Sequence, residues 1–247
     1  MKATLFAFRS FGRELRSGEV LVLLAAVSLA VAALTAVGFL TDRIGKAVAR
    51  QANEVLAADL RLRSQAPVPD EWREIAAEFN LQTADTLSFP SVVFHGDENA
   101  LSTIKVVSER YPLRGAVRVA DELFGAQREV DDIPAPGEVW ADGALLARVG
   151  AGVGDMLDIG ELHLRVSAVL TYRPDQSIGF ASLAPTVILN IGDIGASGLI
   201  GEGSRVRYAL LVAGDEDDVT SFNDAIRDKL PEEIRVRSQE ESSERAY

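Results

Sequence analysis

The 247-residue chain contains no cysteine, which excludes a disulfide, a thiolate nucleophile and a Cys-ligated metal together. Histidine is nearly as scarce. His95 falls in a turn sequence and His163 in the alternating stretch Glu161 to Leu170, and neither has a second histidine at i+2 to i+4 that could share a metal ion. There is no G-x-x-x-x-G-K-[ST] string to cradle a triphosphate, so ATP hydrolysis by this polypeptide is not expected. Ser91 and Ser182 stand in F-P-S-V and F-A-S-L, outside any G-x-S-x-G elbow that would expose a nucleophile. The acidic clusters Asp131-Asp132 and Asp215 to Asp218 lack the glycine and bidentate glutamate of a calcium loop and read as solvated faces, Asp217-Asp218 favouring the positive end of the following helix. No catalytic, cofactor-binding or metal-binding residue is assigned.

Gly150, Gly152 and Gly154 form the one glycine cluster that invites a phosphate-binding reading. In a dinucleotide site such glycines follow a strand and open a helix, whereas here a helical pattern comes first and a short strand follows. They read as a turn.

Apolar length, by contrast, is concentrated in one place. Val20 to Leu40 is 21 residues without a charge, which at ~1.5 Å per residue spans about 31 Å, the hydrocarbon thickness of a bilayer. Its Val, Leu and Phe side chains contribute roughly −4 to −7 kcal/mol to insertion, so a transmembrane helix is expected. A cleaved signal peptide fits less well, because its apolar core is shorter and a small-x-small site follows it, where Phe39, Leu40, Thr41, Asp42 and Arg43 stand here. Ala25, Ser28, Ala32, Thr35 and Ala36 share one stripe, suited to close approach of another membrane helix.

Charge sets the expected orientation. The net charge is −12, with residues 1–40 carrying +2 and the rest −14. The basic leader is expected to stay cytoplasmic and the acidic bulk to cross the membrane. A domain so acidic repels phosphate backbones, so no nucleic-acid partner is expected.

Residues 3–16 alternate Leu5, Phe6, Phe8, Phe11 and Leu15 with Arg9, Arg13 and Arg16, an amphipathic pattern suited to the membrane interface. After the span, Ile44, Ala47, Val48, Gln51, Ala52, Val55 and Leu56 recur at helical spacing, which extends the helix as a stalk to about Ala57. From Asp59 the pattern becomes mixed. Leu60 and Leu62 alternate with Arg61 and Arg63 as a strand, and Trp72, Ile75, Ala76 and Phe79 share a helix face. Leu87 to Phe94 and Ser102 to Val107 bracket a hairpin turn at His95 to Asn99. A Gly- and Pro-rich stretch of short strands follows, with a brief helix at Asp142 to Val149. Strands at Thr186 to Leu189 and Val206 to Val212, a helix at Asp217 to Leu230 and a strand at Ile234 to Val236 complete the pattern. Two strand–helix–strand units flanking a β-rich insertion predict an α+β fold of the split βαβ kind.

This order, together with Ala32 to Arg43, Ser88-Phe-Pro-Ser91, Tyr111-Pro-Leu-Arg-Gly115, Pro136-Gly-Glu-Val-Trp140, Gly179-Phe-Ala-Ser-Leu-Ala-Pro185 and Gly203-Ser-Arg-Val-Arg-Tyr208, resembles the first part of an FtsX/MacB-type ABC transporter permease of the YbbP-like subgroup. The resemblance implies a MacB-like periplasmic domain with a porter-like part and an inserted sabre-like part. Residues 1–19 are then the cytoplasmic leader, 20–40 the transmembrane helix and 41–58 the stalk. Residues 59–108 and 181–238 are the two halves of the porter-like part, 109–180 the β-rich insertion and 239–247 a polar tail. The resemblance further implies a bacterial inner-membrane location, no cofactor of the chain's own, and a separate ABC ATPase subunit that binds ATP. It implies a dimer or pseudo-dimer of transmembrane halves, a further periplasmic partner, and movement of hydrophobic or lipid-like substrates. Further spans are expected after Tyr247, so the chain is expected to be an N-terminal fragment. A free-standing, membrane-anchored envelope binding module is the alternative.

Overall fold

A computed structural model describes residues 18–176, 184–201, 204–231 and 234–238. The amphipathic leader at 3–16, Ser182 and the polar tail lie outside these residues, and of the stalk stripe beyond Ile44 only the backbone is described. The chain divides into two compact units, residues 1–50 and residues 51–247.

The first unit is dominated by one helix, α1, Gly18–Leu56, of 39 residues. Within it Leu21–Thr41 has a mean hydropathy of 2.5 and none of its residues is buried by protein. Its large apolar side chains are exposed, from Leu24 at 51% to Leu34 at 79%, a surface that is stable in hydrocarbon and costly in water. The two hydroxyls near its end are turned inward to the helix. Thr35 Oγ1 donates to the Val31 carbonyl at 2.7 Å and Thr41 Oγ1 to that of Val37 at 3.0 Å, so neither enters the bilayer unpaired.

The second unit is α+β, as the alternation predicts. Among the described residues it has strands β1 (Leu60–Ser64), β2 (Gln82–His95), β3 (Glu98–Val107), β4 (Val117–Ala120), β5 (Gln127–Val130), β6 (Glu138–Asp142), β7 (Met156–Ile159), β8 (Leu162–Tyr172), β9 (Thr186–Asn190), β10 (Arg207–Ala213) and β11 (Arg235–Ser238). Its helices are α2 (Glu71–Glu78), α3 (Gly143–Val149) and α4 (Glu216–Arg227), with a 3-10 turn at Ile191–Ala196.

One end of the sheet runs β11-β1-β10-β2. Strand β10 lies antiparallel to both β1 and β2, so β1 and β2 are parallel to each other and α2 crosses between them. This is the split βαβ arrangement. Leu60 and Leu62 of β1, Leu210 and Val212 of β10, Trp72 and Ala76 of α2, and Phe222 and Ile226 of α4 form the core between this sheet and its two helices. Alternation along β1 sends Arg61 and Arg63 to the opposite face. Glu216, Asp217 and Asp218 occupy the first turn of α4, where the helix dipole favours negative charge.

Strand β2 begins at Gln82, five residues before the expected start, because its first half pairs with β10 and its second half with β3. From β3 the pairing continues through β9, β6 and β8. Short β7 then joins β8 back to β2 through Val93 opposite Ile159 and Phe94 opposite Asp158. The circuit β2-β3-β9-β6-β8-β7 therefore closes on itself, which removes open edges. Its core includes Phe89, Ile104, Leu157, Val166 and Leu189, with Leu145, Leu146 and Val149 of α3 packed into it. Trp140 of β6 is buried in a further cluster with Ile188 and Leu211.

Gly150 ends α3 in the left-handed conformation at φ 66°, its N–H reaching the Leu146 carbonyl. The glycine cluster thus closes a helix where a nucleotide loop would open one. At the other end of α3, the Asp142 side chain caps Ala144 N at 2.8 Å.

Candidate functional site

Two polar assemblies share the loop that follows β3. The first lies just past the end of α1. Ala57 takes a left-handed backbone conformation, φ 59°, which costs a non-glycine residue roughly 1–2 kcal/mol. The turn persists because it is held from several sides. Ala57 and Ala58 are fully buried beside Tyr111, Leu113 and Val117. The Ala57 carbonyl accepts from Leu113 N at 3.0 Å and Arg114 N at 3.1 Å, satisfying one of the acceptors that a helix C-terminus leaves open. Arg114 then grips Asp59 with both arms, Nε to Oδ1 at 2.9 Å and Nη2 to Oδ2 at 2.6 Å. The same Nη2 donates to the Gly214 carbonyl at 3.1 Å, and Gly214 N donates to Asp59 Oδ2 at 3.1 Å. A planar guanidinium suits this fork, and Lys could not replace it. The clamp joins the start of β1, the 111–114 loop and the end of β10.

The second assembly is buried. Asp175, its side chain 1% exposed, accepts from Tyr111 Oη at 2.8 Å and from Arg173 Nη1 at 2.8 Å. It also pairs with Lys105 of β3, and Arg61 Nη2 of β1 lies 3.8 Å away. The Lys105 ammonium sits 4.9 Å from the centre of the Tyr111 ring, close enough for a cation–π contact. Burial would raise the Asp175 carboxyl, but the charges of Lys105, Arg173 and Arg61 outweigh it and hold the group well below the usual carboxylate range. Burial pushes Lys105 down to about 8, against the attraction of Asp175 and with the repulsion of Arg61 and Arg173. Burial and then the Asp175 charge push the Tyr111 hydroxyl well up, so it stays a neutral donor.

Tyr111 and Arg114 belong to one short string, so the two assemblies form a continuous path. It runs from the Ala57 carbonyl through Leu113 and Arg114 to Tyr111, Asp175 and Lys105. No catalytic constellation accompanies them among the described residues. His95 Nδ1 lies 3.1 Å from the Val149 carbonyl, and His163 Nδ1 lies 2.6 Å from Asp158 Oδ1, a surface contact with no nucleophile beside it. Sequence reasoning assigned no role to Asp175, Lys105 or Asp59. Its one available signal was Lys105 standing inside the apolar run Ile104-Lys-Val-Val107, where a charge needs a partner.

Comparison with known proteins supplies the family. The MacB-like periplasmic core domain matches residues 20–229. An uncharacterized ABC transporter permease, YbbP of Escherichia coli (strain K12), is 31% identical over 227 residues, covering 92% of this chain and 27% of that protein. The chain thus spans about a quarter of the length of the curated relative it matches. Among solved structures, the periplasmic region of MacB from Actinobacillus actinomycetemcomitans aligns with a TM-score of 0.50 at 9% identity, over 78% of this chain and 95% of that one. That likeness concerns the fold. The apolar helix, the split βαβ sheet with the closed strand circuit beside it and the match over 20–229 agree: the chain belongs to the MacB-like periplasmic core domain family of ABC transporter permeases.

Proposed function

We propose that this chain is the N-terminal part of an inner-membrane ABC permease. In this reading α1 passes to the domain a motion powered by ATP hydrolysis in a separate subunit. The leader stays in the cytoplasm, Val20 to Leu40 spans the bilayer, and residues 59–238 form a periplasmic domain. The two halves of the porter-like part are 59–108 and 181–238, with 109–180 as the inserted sabre-like part. Dimerisation, or pairing with a second transmembrane half, brings two such domains together, and their motion promotes movement or release of a hydrophobic or lipid-like substrate. The permease binds no nucleotide itself.

The observation that carries the mechanical part is the clamp at Ala57, where helix exit, β1 and the 111–114 loop are tied by backbone and charge-assisted hydrogen bonds. A freely hinged anchor has no use for a left-handed alanine held by two amides and a bidentate arginine. A partner for the β2–β3 hairpin is favoured by Val92, Phe94 and Leu101, which are exposed at its far end, with Leu101 directly opposite Val92.

The complete gene product, affinity-purified in mild detergent, is expected to bring down a subunit carrying a Walker-type ATP site, identified by mass spectrometry. A complex that repeatedly lacks such a subunit, while retaining other native partners, would remove the transporter reading and leave a membrane-anchored binding module.

A further inference from the structure

We propose that the cleft above Lys105 and Asp175 is an oxyanion site that takes a phosphate-type dianion. The proposal stands apart from the transport reading, because it rests on charge and shape alone. A cavity of about 140 Å³ opens there, lined by Arg61, Arg63, Lys105, Arg173 and Arg207 against Asp142 and Asp175. Leaving aside Arg63, which has an interaction of its own, four cations face two carboxylates in a chain whose net charge is −12.

The imbalance extends below the surface. Arg61, Lys105 and Arg173 all converge on the single carboxylate of Asp175, an excess of two positive charges. Among the described residues Arg61 Nε is a buried donor with no hydrogen-bond partner, and such a group costs free energy until an acceptor reaches it. With Arg207 and Asp142 counted as well, one cation and one carboxylate more, the excess in the lining is still two.

The chemistry of the wall selects the ligand. Guanidinium forks match phosphate oxygens, and Thr103, Ser88 and Thr186 add hydroxyls to the lining. The volume holds roughly four to five waters, enough for a tetrahedral oxyanion or the phosphoryl end of a larger molecule. A phosphate monoester carries about −1.5 to −2 at pH 7, which balances the excess, whereas one carboxylate leaves half of it.

The test is isothermal titration of the full chain in detergent with inorganic phosphate and with glycerol 3-phosphate, at constant ionic strength set by chloride. One saturable site per chain is expected. Arg61→Gln and Arg207→Gln are each expected to weaken it about tenfold or more, the loss of one charge-assisted contact. Arg207 is exposed, so its replacement leaves the fold intact. Arg61→Gln is also expected to raise the melting temperature in phosphate-free buffer, since it relieves excess buried charge, a sign that a merely structural arginine would reverse. Tighter binding of glycerol 3-phosphate assigns the site to a phosphorylated headgroup, and tighter binding of inorganic phosphate to the free ion; either supports it. Absence of saturable binding with both probes, or unchanged binding in both variants, overturns it.

Discussion

Replacing Asp175 by Asn is expected to lower the stability of the domain by about 3–5 kcal/mol, the cost of breaking a buried ion pair from one side. Asn matches Asp in size, so no cavity opens and the loss is electrostatic. What remains is Arg61, Lys105 and Arg173 with no counter-charge at the centre, and a Tyr111 hydroxyl without its charged acceptor. Lys105→Met is expected to cost less, because it removes one of three cations and leaves Asp175 paired with Arg173. Urea unfolding of the full chain in detergent, followed by tryptophan fluorescence, checks both variants. Trp72 reports the helix-covered core and Trp140 the cluster containing Tyr111. Equal stability of Asp175→Asn and the parent chain would show that the cluster is hydrated and open.

The same cluster fixes a pH profile. The Asp175 carboxyl is held below its unfolded value of about 3.9, so its contribution is complete above that value and is lost as pH falls below it. Lys105 has the opposite consequence. Its folded pKa of about 8 lies below the unfolded value, so the folded state sheds its proton first and stability rises from about pH 8 towards about 10.4. Tyr111, raised when folded, reverses that trend once the unfolded phenol ionises above about pH 10.

Arg114→Ala is the second large effect. The side chain makes two bonds to Asp59 and one to the Gly214 carbonyl, and hydrogen bonds to charged groups contribute about 1.5–3 kcal/mol each at most. Because Arg114 is partly exposed, water replaces part of that, and a loss of about 1.5–3 kcal/mol in total is expected. The damage is expected to be local. Amide exchange at Leu113, Arg114 and Gly214 should quicken at least tenfold, while the helix-covered core around Phe222 keeps its protection. Uniform loosening of the whole domain would mean that Arg114 supports the fold generally and is no clamp.

Several parts of this architecture were legible before any coordinates. Val20 to Leu40 could be read because membrane thickness imposes an unbroken length, and no internal packing competes with it. The split βαβ unit was readable because Leu60 and Leu62 alternate with arginines, and because Trp72, Ala76, Phe222 and Ile226 fall on helix faces. The closure of the strand circuit was not, since β7 is only Met156–Ile159 and its pairing with Val93 and Phe94 depends on a distant strand. The Asp175 cluster was hidden for the same reason. Its members come from β1, β3, the 111–114 loop and the end of β8, and each alone resembles an ordinary strand or loop charge. Tyr111 and Arg114 did lie in a string that carried the family resemblance, but their partners Asp175, Asp59 and Gly214 are distant in the chain.

The central claim is that motion of α1 reaches the domain through the Ala57 clamp. Hydrogen–deuterium exchange of the complete permease with its ATPase, compared between nucleotide-free and ATP-trapped states, tests it most directly. The informative comparison is with a Gly-Pro insertion near Ala49, where Pro breaks the helix at a cost of about 3 kcal/mol. In the intact protein, exchange at residues 57–62 and 111–114 should change with nucleotide, and in the inserted protein, folded and still bound to the ATPase, it should not. The account is contradicted if those residues exchange identically in both nucleotide states, or if they respond just as strongly when the helix is broken.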